Sequence, residues 1–171
     1  LPEAEKRAGQ TIKAYEDVGM RVSYCYAVRD QNRLVYQADE EFVKALPAEL
    51  QGPMQRWFDR FKMGLDDAMD MFKSFHSQHH NKRRVKIQLA PANLHWCSDT
   101  ALTKLSEASA QYNVPMHMHL LETAYQKEYA RRRGNCTALE YIDRFGMVNE
   151  RLTLGHGVWL NEKDIDRLAE A

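Results

Sequence analysis

The 171-residue chain has only three cysteines, Cys25, Cys97 and Cys136, far apart and with no Cys-x-x-Cys pair. A scattered, odd set fits free thiols in a reducing compartment, the cytoplasm, and not a disulfide framework. No apolar run is long enough to span a bilayer. The start, Leu1-Pro2-Glu3-Ala4-Glu5-Lys6, has no apolar core region, so it does not read as a signal peptide. It also lacks an initiator methionine, and the expectation is a processed product or a piece of something longer. Charge of one sign is missing too: Lys+Arg and Asp+Glu stand at 24 each. That balance argues against nucleic acid or an anionic membrane as partner. The short basic runs Lys82-Arg83-Arg84 and Arg131-Arg132-Arg133 read as solvated helix or loop ends. No glycine-rich loop follows any apolar run, which disfavours a dinucleotide or P-loop fold.

The chain reads as a helix followed by four strand-helix units. A helix is predicted over 3–18, capped by Gly19. β-Branched and aromatic residues predict a strand over 20–28, running into the polar segment 29–33. A short helix over 39–46 stops at Pro47. One helix is predicted over 53–80, where Trp57, Phe58, Phe61, Leu65, Met69 and Phe72 form a core stripe. Its end carries His76, His79 and His80, read as solvated. A strand over 85–90 closes at Pro91. Ser98 or Asp99 caps a helix over 100–112. A strand over 115–121 leads into a helix over 124–145, broken near Gly134-Asn135 and ended by Gly146. A strand over 151–159 and a helix over 162–171, capped by Asn161, complete the order. Short apolar strands alternating with helices predict a parallel sheet buried on both faces.

Two stretches carry chemistry. In Pro115-Met116-His117-Met118-His119-Leu120-Leu121-Glu122-Thr123, strand alternation puts His117, His119 and Leu121 on one face, with Glu122 just past the strand end. Neutral imidazoles on a rigid element, with a carboxylate nearby to move protons, are what a catalytic metal needs. In Leu154-Gly155-His156-Gly157-Val158-Trp159-Leu160, the glycines let the backbone approach a ligand closely. These residues, with the segments 29–33 and 93–96, fall at or just after strand ends, where an α/β barrel carries its site.

The sequence resembles the metal-dependent amidohydrolase superfamily, in the branch of cytosine deaminase-like, adenosylhomocysteine deaminase-like and triazine hydrolase (chlorohydrolase) enzymes. Besides the two stretches above, Leu89-Ala90-Pro91 and Cys97-Ser98-Asp99 carry the likeness. The resemblance implies a partial TIM (β/α)8 barrel, with 1–171 as one domain holding strands three to six and truncated at both ends. It implies His119 as the fifth-strand metal ligand, Glu122 as the proton-shuttling glutamate and His156 as the sixth-strand histidine that contacts substrate or attacking hydroxide. His117 matches no essential family position and is kept as a second candidate ligand. Trp159 stands where many relatives have a further histidine. The first-strand His-x-His pair and the eighth-strand aspartate of the family are not identifiable here.

The implied activity is hydrolytic deamination or dechlorination of a small-molecule nitrogen heterocycle, with zinc, or alternatively iron, activating water. Gln31, Asn93 and Trp96 are candidate substrate contacts. Two other readings stand beside it: a catalytically incomplete fragment or degenerate homologue, and a different metal chemistry on His117, His119 and His156. A half-barrel leaves two unpaired sheet edges, so self-association into a homo-oligomer is expected.

Overall fold

The computed structural model describes residues 2–171. The first helix, α1 (Pro2–Asp17), buries Ala8 and Ile12, and the chain reverses at Gly19, whose φ is +73°. The predicted strand over 20–28 is two pieces, β1 (Val22–Tyr24) and β2 (Ala27–Val28). Its partner is likewise β3 (Val85–Ile87) and β4 (Ala90–Pro91). Both breaks fall at the same level, and the register is the same on either side: Tyr24 pairs with Ile87, and Ala27 with Ala90. Pro91, expected to close the strand, is paired within it to Val28.

The remaining strands are β5 (Met116–Leu120) and β6 (Leu152–His156), parallel over five pairs. A parallel bridge joins Leu89 to Met116, and the His117 and His119 amides donate to the Leu89 and Ala92 carbonyls. The four strand lines therefore form one parallel sheet in chain order. Neighbouring parallel strands need crossovers, and helices supply all of them.

Between the first two strand lines lie α2 (Asp39–Ala45), α3 (Ala48–Arg60) and α4 (Leu65–His79). The single helix expected over 53–80 is thus two. The chain leaves α3 at Phe61, and Gly64 is extended as it enters α4. The break turns part of the expected stripe outward. Phe58, Met69 and Phe72 are buried, but Trp57 and Phe61 are 42% and 56% exposed. The His76-His79-His80 end is not fully solvated either. His76 stacks on His80 with ring centroids 4.4 Å apart, and its Nε2 is buried.

Helix α5 (Asp99–Tyr112) is capped by Ser98, whose hydroxyl accepts from the Ala101 amide. The break in the next helix falls as predicted, giving α6 (Ala124–Gly134) and α7 (Ala138–Asp143). Thr137 and Asn161 each build a capping box, at the starts of α7 and α8 (Glu162–Ala169). Arg167 of α8 pairs with Asp143 of α7 at 2.8 Å.

The helices cover one face of the sheet. Ile87, Leu89, Met116, Met118 and Leu120 point into that layer against Leu102, Leu105, Leu139 and Ile142, all nearly inaccessible. Each such side chain contributes about 1.5–3 kcal/mol by leaving water. The other face is open, against the expectation of a sheet buried on both sides. Along β5 the buried methionines and Leu120 alternate with half-buried His117 and exposed His119. Leu121, expected beside the histidines, is instead 1% exposed, because its left-handed φ of +56° turns it into the core.

Candidate metal centre

The open face places His119 directly opposite Gly155. A Cβ on residue 155 would stand 3.4 Å from His119 Cδ2 and 3.5 Å from His117 Nε2. Glycine therefore gives both imidazoles a bare strip of backbone to lie over. His156 pairs with Leu120, whose side chain faces the helices, so regular alternation would send the imidazole the same way. A φ of +73° at His156 re-aims it. Its Nε2 lies 3.1 Å from His119 Nδ1, while the ladder continues with Gly157 N–H donating to Leu120 O. The predicted strand over 151–159 thus ends at His156.

Glu122 follows the left-handed Leu121. Its backbone N–H donates to the buried Gln126 side-chain oxygen at 2.8 Å, which fixes the turn into α6. The carboxylate reaches to 3.8 Å from His156 Nε2. One ligand atom from each of His119, Glu122 and His156 lies within 4.8 Å of the others. Two imidazole nitrogens and a carboxylate oxygen are a zinc-type donor set. Their 3.1 Å nitrogen separation is near the roughly 3.3 Å between two nitrogens of a tetrahedral site with 2.0–2.1 Å bonds. The residues fit a divalent metal. Burial first, then the neighbouring His156 and His117, holds the His119 pKa below its ordinary value, partly opposed by Glu122. That favours the neutral imidazole a metal requires. His117 lies further down the strand, its ring centroid 5.3 Å from that of His119, outside the group of converging donors.

The three expected substrate contacts are placed differently. The Gln31 amide NH2 donates to the His95 and Cys97 carbonyls, tying one loop to the next. Asn93 is 1% exposed beneath the loop, with Oδ1 3.1 Å from His95 Nδ1. Trp96, in the one-turn 3-10 helix Leu94–Trp96, has a buried indole nitrogen, and its ring carries the Arg29 guanidinium 3.8 Å above it. Sequence reading picked out this loop but not the two residues that organise it. Tyr36 packs tilted against His95 with ring centroids 4.4 Å apart, and Arg133 donates from α6 to the Leu94 and Cys97 carbonyls at 2.6 and 2.9 Å. Arg133 had read as one of a solvated basic run, and its side chain is 14% exposed.

His95 gives the loop a pH dependence. Burial, aided by the Arg29 charge, pushes its pKa down from 6.5 to about 4. Below pH 6.5 the unfolded chain takes up a proton that the folded chain refuses. Stability is therefore full above that pH and falls as pH drops toward 4, by about 2 kcal/mol after allowing for solvent screening. Urea unfolding at pH 7.5 and 4.5 should show this loss in the wild type, and His95→Gln should remove that part of the slope.

Residues 6–171 match the family model described as "Amidohydrolase family". The chain belongs to the amidohydrolase family. It is 31% identical over 107 residues to a 5-methylthioadenosine/S-adenosylhomocysteine deaminase of Thermodesulfovibrio yellowstonii, covering 63% of this amidohydrolase chain and 24% of the relative. Over 171 residues it is 25% identical to a 5'-deoxyadenosine deaminase of Methanothrix thermoacetophila, covering 99% of the chain and 39% of the relative. The fold superposes with a TM-score of 0.74 on an atrazine chlorohydrolase of Arthrobacter aurescens TC1 solved in complex with zinc, at 19% identity, over 94% of this chain and 32% of that one. This amidohydrolase chain thus spans well under half the length of these relatives. Its sheet is part of the amidohydrolase TIM-barrel fold. The open face carrying His119 is the one a closed barrel turns inward.

Proposed function

We propose that the protein carrying this chain is a metal-dependent aminohydrolase that removes an exocyclic amino group from a nitrogen heterocycle. The observation that carries this reading is the convergence of His119, His156 and Glu122 at the C-terminal ends of two adjacent parallel strands. The named activities of the curated relatives favour deamination over dechlorination, and adenine nucleosides are the first substrates to try. The likeness to the chlorohydrolase speaks for the fold alone.

His119 would hold the metal, zinc or else iron, which when bound lowers the pKa of water toward about 7. Glu122 accepts one proton of the attacking water and passes it to the ring nitrogen, then carries the proton of the added hydroxyl to the departing amine. Water adds to the amino-bearing carbon, the C–N bond breaks, ammonia leaves and a ring carbonyl remains. His156 holds the charge that develops at the attacked centre. The three free cysteines fit a cytoplasmic setting, and no described helix is long and apolar enough to cross a membrane. Self-association across the open sheet edges stays part of the reading.

Elemental analysis of the complete protein should find roughly one zinc or iron per catalytic chain. His119→Ala should lose it. Undiminished metal in that variant, with its fold intact by circular dichroism, would overturn the ligand assignment.

A further inference from the structure

Among the described residues, Arg29 is the one cation at the strand ends that the metal reading leaves without a task. Its position follows from register. Ala27 pairs with Ala90, and Leu89, next to Ala90, pairs with Met116 on the helix-covered face. Ala90 and Ala27 therefore belong to the open face, and Arg29, two residues beyond Ala27, continues it. Val28, between them, is buried and Arg29 is exposed, as that alternation requires. Two strand spacings, roughly 10 Å, separate the strand line of Arg29 from that of His119. The same register carries Arg29 level with Ala92, whose carbonyl accepts from the His119 amide, so the residue between them is Ala92, which raises only a methyl group.

The guanidinium is held but not used. Its Cζ sits over the Trp96 ring, 3.8 Å from the ring centroid. Trp96 is itself fixed, because its carbonyl accepts from the Asp30 and Gln31 amides at 3.0 and 3.2 Å. Stacking on an aromatic face occupies the plane of a guanidinium and leaves its in-plane N–H fork pointing outward. Among the described residues nothing takes up that fork, for Arg29 makes no ion pair and no side-chain hydrogen bond. The neighbouring carboxylate of Asp30 is engaged at both oxygens by Ser98.

We propose that Arg29 is a specificity-determining residue that receives an oxyanion, a carboxylate or a phosphate, borne by the heterocyclic substrate. The ring lies at His119, Glu122 and His156, and the anionic substituent extends across Ala92 to the Trp96-backed fork. Two parallel charge-assisted bonds from a stacked guanidinium suit such a group and give a neutral substituent little. The proposal rests on the aminohydrolase reading.

The test uses the complete protein and three probes: neutral 5′-deoxyadenosine, adenosine 5′-carboxylate and adenosine 5′-monophosphate. The wild type should prefer one of the two anionic probes by kcat/KM, and the preferred arm identifies the oxyanion. Arg29→Met should cut the anionic-to-neutral ratio roughly 10- to 100-fold, mainly through KM, with Arg29→Lys recovering part of it. An unchanged ratio, or an equal loss on all three probes, would overturn the assignment. If the wild type turns over none of them, adenine as the ring of the aminohydrolase reading fails on its own. Binding then decides the role of Arg29. In direct binding by calorimetry, Arg29→Met should shift the Kd of the anionic probes upward roughly 10-fold and leave that of the neutral probe in place. No shift would overturn the proposal.

Discussion

Glu122→Gln in the complete protein should lower kcat by roughly 10²- to 10⁴-fold, the range that a positioned general acid–base group supplies. The substitution is nearly isosteric. It leaves the backbone N–H of residue 122 bonded to Gln126, so the turn into α6 stays as it is. What it removes is the carboxylate that the proposed mechanism uses to take a proton from water and give it up again. Metal content separates this role from ligation. The carboxylate lies 3.8 Å from His156 Nε2, within the same converging group as His119, so geometry alone would admit it as a ligand. A proton carrier leaves the bound metal unchanged when it becomes an amide, whereas a ligand does not. Turnover within a few-fold of wild type would overturn the mechanism, and loss of metal would reassign Glu122 from shuttle to ligand.

Gly134→Ala should destabilise the fold by about 2–3 kcal/mol, as overpacking does in a rigid site. Helix propensity alone predicts the opposite sign, since alanine is favoured over glycine by about 1 kcal/mol. Packing decides it. A Cβ at 134 would stand 2.3 and 2.6 Å from the edge of the Tyr141 ring and 3.1 Å from Cys136 Sγ. The ring cannot swing aside freely. Tyr141 is 6% exposed, its hydroxyl donates to Asp99 at 2.9 Å and accepts from Arg133 Nε at 3.0 Å, and the Arg133 guanidinium lies over its face. Moving it would also disturb the bonds from Arg133 to the loop that carries His95 and Trp96. Urea unfolding measures the change directly, and a variant as stable as wild type would show that the ring has room to move.

The convergence of His119, Glu122 and His156 was legible because its signal is local. His119 and Glu122 sit three residues apart, and the glycines around His156 mark a backbone that must come close to something. The helix caps at Ser98 and Asn161 and the break at Gly134-Asn135 were legible for the same reason. What failed depended on the third dimension. Alternation put Leu121 beside the histidines, but a single left-handed residue moved it to the core. The apolar stripe from Trp57 to Phe72 ran through a point where the chain stops being helical, and spacing does not survive such a break. Arg133 read as part of a solvated basic run, and Gln31 as a substrate contact. Their importance lies in carbonyls 36 to 66 residues away, which no window of sequence brings together. The open sheet face was unreadable because strand composition reports on the helix-covered side alone.

The left-handed backbone at His156 sets stability against chemistry at a single position. A non-glycine residue there carries a strain of about 1–2 kcal/mol that glycine would relieve. The chain has glycine at 155 and at 157 and a histidine between them. Selection for a sturdier protein, in the laboratory or otherwise, would find that substitution readily and would delete the imidazole that meets His119. A screen scoring thermal tolerance alone should therefore enrich glycine at 156 and return well-folded, inert proteins.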